Sequence, residues 1–158
     1  MYLRMSFFLR KAKITKLNNS LCQAIAIFFL IVLQFSCKKE ENNNIPLVEV
    51  NLFLNLGDPD FTNLQRIGGS VEITGGSRGI ILYRISNEEI KAYDRHCTFQ
   101  PQSSCALVSV DPTNITASDQ CCGSSFLLSN GDVSRPPAST PLKQYNTSLS
   151  GNSLHISN

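Results

Sequence analysis

The chain beyond Ile45 reads as all-β, and three observations lead there. No stretch of 12 or more residues keeps apolar residues at the i, i+3, i+4, i+7 spacing of a helix face. Short runs rich in Val, Ile, Leu, Tyr and Phe recur instead, each closed by Gly, Asn, Asp or Pro. The Gly75-Gly76 pair and Asn130-Gly131-Asp132 carry the residue types that tight hairpins demand. Short strands at such intervals suit an antiparallel sandwich or small barrel.

In chain order, Val48–Leu54 alternates apolar and polar residues and then becomes more continuous, as a strand half covered by a core does. Ser70–Thr74 follows Gly68-Gly69, and Gly75-Gly76 leads on to Gly79-Ile80-Ile81-Leu82-Tyr83-Arg84. Asn87-Glu88-Glu89 turns the chain into Ile90–Asp94. Further strands are expected at Cys105–Val110, Ile115–Ala117, Ser125–Leu128, Leu142–Tyr145 and Ser153–Ile156. Arg135–Pro141 holds three prolines, lacks their N–H donors, and must be a loop. No internal repeat is present.

The first 36 residues read as an export signal. A basic start (Arg4, Arg10, Lys11, Lys13, Lys16) precedes fifteen mostly apolar residues, Leu21–Phe35. That run is shorter than the roughly 20 residues a membrane-spanning helix needs and suits a signal segment. Ser36-Cys37 resembles a bacterial lipobox, with Gln34 in place of the usual aliphatic residue. Cleavage there leaves the Cys37 thiol to carry a lipid. An uncleaved signal anchor is the alternative. Lys38–Asn44 is polar and charged, and residues 37–47 read as a flexible tether. Their Cys-Lys-Lys-Glu-Glu start resembles the signal that directs lipoproteins of Bacteroidetes to the cell surface. A protein anchored in the outer membrane, and exposed at the surface, is the expectation. The organisation is then 1–36 signal, 37–47 tether and 48–158 folded domain.

Of the 14 basic residues, five lie in the leader, so nine remain against 12 acidic ones. The resulting net charge near −3 argues against a nucleic-acid partner. The membrane, reached through Cys37, is the one partner the sequence names.

Two cysteine-bearing loops carry a family resemblance. Cys97-Thr98-Phe99 and Asp119-Gln120-Cys121-Cys122-Gly123-Ser124-Ser125-Phe126 resemble the cluster-binding loops of a Rieske iron–sulfur domain, written C-x-H and C-x-x-H-G-S. Gly131, Pro137-Ala138 and Pro141-Leu142 resemble the loop that shelters the cluster. The resemblance covers residues 48–158 and implies antiparallel sheets with a smaller cluster-binding subdomain inserted into a larger base. It places Cys97 at the first thiolate position, Phe99 at the first His, Asp119 at the second Cys and Cys122 at the second His. A Rieske centre takes two thiolates on one iron and two imidazoles on the other, so half of the ligands are replaced. The expectation is therefore a domain without cofactor or metal; a [2Fe–2S] or other metal centre with altered ligands is the alternative. His96 and Cys121 lie beside ligand positions rather than on them.

Four cysteines remain after Cys22 and Cys37, and an oxidising compartment favours two disulfides among them in one of three pairings. The family register implies Cys105 with Cys121, which leaves Cys97 with Cys122 across the vacated cluster space. Zinc ribbons want paired C-x2-C spacing, which these four do not show. No C-x-x-C motif points to thiol–disulfide exchange, and no phosphate loop, serine elbow or carboxylate pair appears. His96 beside Cys97 projects to the opposite face of an extended chain and is not read as its base. Asp94-Arg95 reads as an ordinary ion pair, His155 as a solvent-facing residue of the last strand, and Tyr83, Tyr93, Phe99 and Phe126 as packing. The sum is a non-enzymatic envelope lipoprotein with a binding or structural role; an electron-transfer module is the alternative.

Overall fold

The computed structural model describes residues 45–158. Ten strands form two antiparallel sheets. The larger has the order β1(Asn51–Asn55)-β10(Ser153–Ser157)-β9(Gln144–Ser150)-β4(Ile90–Asp94)-β3(Ile80–Arg84)-β2(Ser70–Ile73). The smaller has the order β5(Val108–Val110)-β6(Thr116–Asp119)-β7(Ser125–Leu127)-β8(Val133–Arg135). All four strands of the small sheet lie between β4 and β9 of the large one, so it is an insertion into the base.

β3 explains how the two sheets share a core. Side chains alternate across a strand, yet Ile80, Ile81 and Leu82 are all buried. Ile80 and Leu82 pack into one cluster with Val50, Leu56, Phe61, Leu64, Leu154 and Ile156. Ile81 faces the other way, into a second cluster with Tyr93, Cys97, Val108, Phe126 and Leu142. An unbroken apolar run is what a strand covered on both faces requires. β1 and β10, covered on one face only, keep alternating burial.

Two elements escape the sequence pattern. Pro59–Gln65 winds into a 3-10 turn that buries Phe61 and Leu64, and it is too short to show helical periodicity. β8 is a three-residue exposed edge strand on Val133–Arg135, just before the prolines. Boundaries also shift: β5 starts at Val108 rather than Cys105, and β9 runs over Gln144–Ser150 rather than Leu142–Tyr145. Arg84 is buried and donates to the carbonyls of Leu64, Ser86 and Asn87, tying the 3-10 turn and the β3–β4 turn to the base.

Asp94 corrects the expected Asp94–Arg95 ion pair. Its carboxylate is fully buried. Oδ2 accepts from the Tyr145 hydroxyl at 2.6 Å and the Ser77 N–H at 2.8 Å. Oδ1 accepts from the His96 N–H at 2.8 Å. Arg95 instead pairs with Glu72 across the sheet at 2.9 Å. Neighbours on a strand point to opposite faces, so the two charges never meet. His155 lies partly exposed on the outer face of β10, stacked on Phe53 with ring centroids 4.3 Å apart.

Candidate functional site

The site is made by two loops at the tip of the small sheet. The first leaves β4 after Asp94 and reaches β5. The second connects β6 to β7. Asp119 ends β6 and builds the second loop: its Oδ1 accepts from the backbone N–H of Cys121 at 2.7 Å and of Cys122 at 3.3 Å. Gly123 then closes the turn at φ +79°, a left-handed conformation that glycine adopts without cost.

Three of the four positions that the resemblance assigns to ligands converge there. Ligand atoms of Cys97, Asp119 and Cys122 all lie within 4.8 Å of one another. Cys97 and Asp119 are buried, and Cys122 is half-buried. The fourth position, Phe99, packs its ring against the second core cluster. Phe99 also lines a cavity of about 180 Å³ together with Gln100, Ser103, Asp119 and Cys122.

The disulfides depart in part from expectation. Cys105 and Cys121 are bonded, S–S 2.02 Å, and join the two loops at their exposed ends. The expected second bridge is not formed: Cys97 and Cys122 are free thiols with Sγ atoms 3.8 Å apart. The Cys122 thiol is engaged elsewhere, donating to Ser124 Oγ at 3.1 Å and accepting from the Ser124 N–H at 3.4 Å. Burial pushes the Cys97 thiol far above its ordinary range, and the neighbouring Asp119 carboxylate pushes the same way. A thiol held neutral is a poor nucleophile.

The proline-rich loop buttresses both ligand loops. Thr98 Oγ1 donates to the Thr140 carbonyl at 2.6 Å, and the Ala138 N–H donates to Ser124 Oγ at 2.9 Å. Each tie spans a hydroxyl from a cysteine loop and backbone from residues 138–140.

The donor set does not fit a [2Fe–2S] cluster of the Rieske kind. Such a cluster needs two imidazole nitrogens, and neither histidine supplies one. His96 is buried with both nitrogens engaged: Nε2 donates to the Pro101 carbonyl at 2.7 Å and Nδ1 faces Ser77 Oγ at 2.8 Å. A carbonyl can only accept, so Nε2 carries a proton. His155 sits on β10 of the base, hydrogen-bonded to Asn51 at 2.8 Å. The Phe99 ring has no lone pair for iron. Cys37 lies outside the described residues, as do the signal segment and most of the tether.

An inserted four-stranded sheet, two loops meeting at its tip and a third loop braced against them make up the arrangement the resemblance implies. In fold, the domain is Rieske-like. Similar solved structures include the cyanobacterial plasma-membrane Rieske protein PetC3 of Synechocystis, at 21% identity over 71% of this chain and 100% of that one, TM-score 0.48. They also include the ferredoxin of carbazole 1,9a-dioxygenase from Nocardioides aromaticivorans, at 14% identity over 70% and 98%, TM-score 0.44. The Escherichia coli protein NirD is similar at 12% identity over 69% and 98%, TM-score 0.42. No family model and no curated protein matches the chain.

Proposed function

We propose that this chain is a non-enzymatic lipoprotein of the cell envelope, anchored in the outer membrane through Cys37. Its Rieske-like domain holds no [2Fe–2S] cluster and serves as a binding or structural module displayed beyond the membrane. The supporting observation is the cradle itself. Phe99 and Asp119 occupy two ligand positions, and both nitrogens of the nearby His96 are spent on Pro101 and Ser77. A soft iron–sulfide centre is poorly served by one carboxylate and an aromatic ring. The fold is kept by other means, among them the Cys105–Cys121 bond and the ties from the proline loop.

Two measurements test this reading. The detergent-extracted protein is expected to be colourless, without visible absorbance. A Cys37→Ser variant is expected to keep its signal segment and to take up no radiolabelled palmitate. A red-brown protein sinks the no-cluster reading in favour of an electron carrier. Normal processing of Cys37→Ser sinks the lipid anchor.

A further inference from the structure

We infer that Cys97, Asp119 and Cys122 form a binding site for one thiophilic divalent cation, of which zinc is the type, with a fourth position open to the cavity beside Phe99. The inference rests on the reading that no [2Fe–2S] cluster sits in this cradle.

The geometry suits a metal site. A zinc–sulfur bond of about 2.3 Å and a tetrahedral angle set two ligand sulfurs about 3.7 Å apart. Cys97 and Cys122 hold their Sγ atoms at 3.8 Å, and an Asp119 oxygen lies within 4.8 Å of both. The polypeptide presents this edge without further movement of the loops.

A second observation is independent of the sulfurs. Asp119 is 1% exposed, and its Oδ2 has no hydrogen-bond partner among the described residues. Oδ1 does the structural work of the loop through Cys121 and Cys122, and the Cys97 thiol lies against the same carboxylate. A buried carboxylate without a partner is costly, and natural chains keep one where a cation or a donor meets it. No Lys or Arg among the described residues fills that role: Arg78 bonds the carbonyls of Ser103, Ser104 and Ala106, and Arg95 pairs with Glu72.

One backbone donor already faces the sulfur pair. The Ser124 N–H points at Cys122 Sγ at 3.4 Å. Backbone donors of this kind hold and orient metal-bound thiolates. The balance is simple: the ion replaces two thiol protons, which leave to solvent, and binds the carboxylate as it stands. The cavity of about 180 Å³ gives a water molecule access to the fourth position.

The test uses the full chain, extracted in detergent without reductant. One zinc per chain is expected on isolation. Replacement by cobalt(II) is expected to give thiolate-to-cobalt charge transfer in the near ultraviolet and the visible bands of a tetrahedral ion. Cys122→Ser is expected to lose the charge-transfer signature of the pair. Asp119→Asn keeps the acceptor that Cys121 and Cys122 need but removes the charge, and it is expected to weaken cobalt binding at least about tenfold. A zinc-dependent rise in the melting temperature of the wild-type chain, missing from Cys122→Ser, guards against variants that merely misfold. A chain that neither retains zinc nor binds cobalt overturns the inference, as does a Cys97–Cys122 disulfide in peptide maps. Iron with acid-labile sulfide overturns the no-cluster reading instead, so the two failures are distinguishable.

Discussion

The Tyr145 hydroxyl donates to Asp94 Oδ2 at 2.6 Å across 51 residues of sequence. This buried bond ties β9, which follows the inserted sheet, to β4, which precedes it. The same carboxylate receives Ser77 and His96, so one side chain sets where the first cysteine loop departs. Gly76 lies against the pair: a Cβ there would fall 2.7 Å from Asp94 Oδ2.

Tyr145→Phe is expected to cost about 1.5–3 kcal/mol, the range for a hydrogen bond to a charged group. Asp94→Ala is expected to cost more, because three donors are left unpaired. Urea unfolding of the two variants checks the order. An Asp94→Ala loss within about 0.5 kcal/mol would return Asp94 to the surface role that its neighbour Arg95 suggests in the sequence.

Tyr93 is the contrasting case. Its hydroxyl is buried without a hydrogen-bond partner among the described residues. Tyr93→Phe removes an unsatisfied group and is expected to leave stability unchanged or raise it by about 1 kcal/mol. The same unfolding curves decide this, and a loss like that of Tyr145→Phe contradicts it.

Burial raises the pKa of both tyrosines, and the Asp94 contact raises that of Tyr145 further. A folded pKa above the unfolded one means stability is fully present below about pH 10, the unfolded value, and is lost as the pH rises from there. The domain is therefore expected to destabilise progressively above about pH 10. Tyr145→Phe should flatten that slope, and an unchanged slope in melting temperature against pH speaks against it.

Cys105–Cys121 closes a loop of 16 residues. Loops of that length are worth about 3 kcal/mol through restriction of the unfolded chain. A Cys105→Ala/Cys121→Ala variant is expected to lose about that much in urea unfolding, since both residues are exposed and little packing goes with them. No loss would show that the loops are held by the proline loop alone.

Much of this architecture is legible in the sequence. The Gly-Gly and Asn-Gly-Asp turns announce their hairpins, and the Ile80-Ile81-Leu82 run announces a strand buried on both faces. The family resemblance places Cys97, Asp119 and Cys122 in one cradle and implies Cys105 with Cys121. What stays hidden depends on partners far along the chain. Asp94 looks like half of an ion pair until Tyr145 arrives from β9. The bonding state of Cys97 and Cys122 turns on whether Ser124 engages the second thiol, and no spacing rule carries that. Arg84, a strand-end cation in the sequence, is buried because three carbonyls at two separate turns accept from it.

On the proposed reading, the two loops form a cradle without the atoms able to grip two irons. Counting iron and acid-labile sulfide per chain, in protein taken from its native envelope, tests this most directly. The account predicts no acid-labile sulfide. Two irons and two sulfides per chain would contradict it.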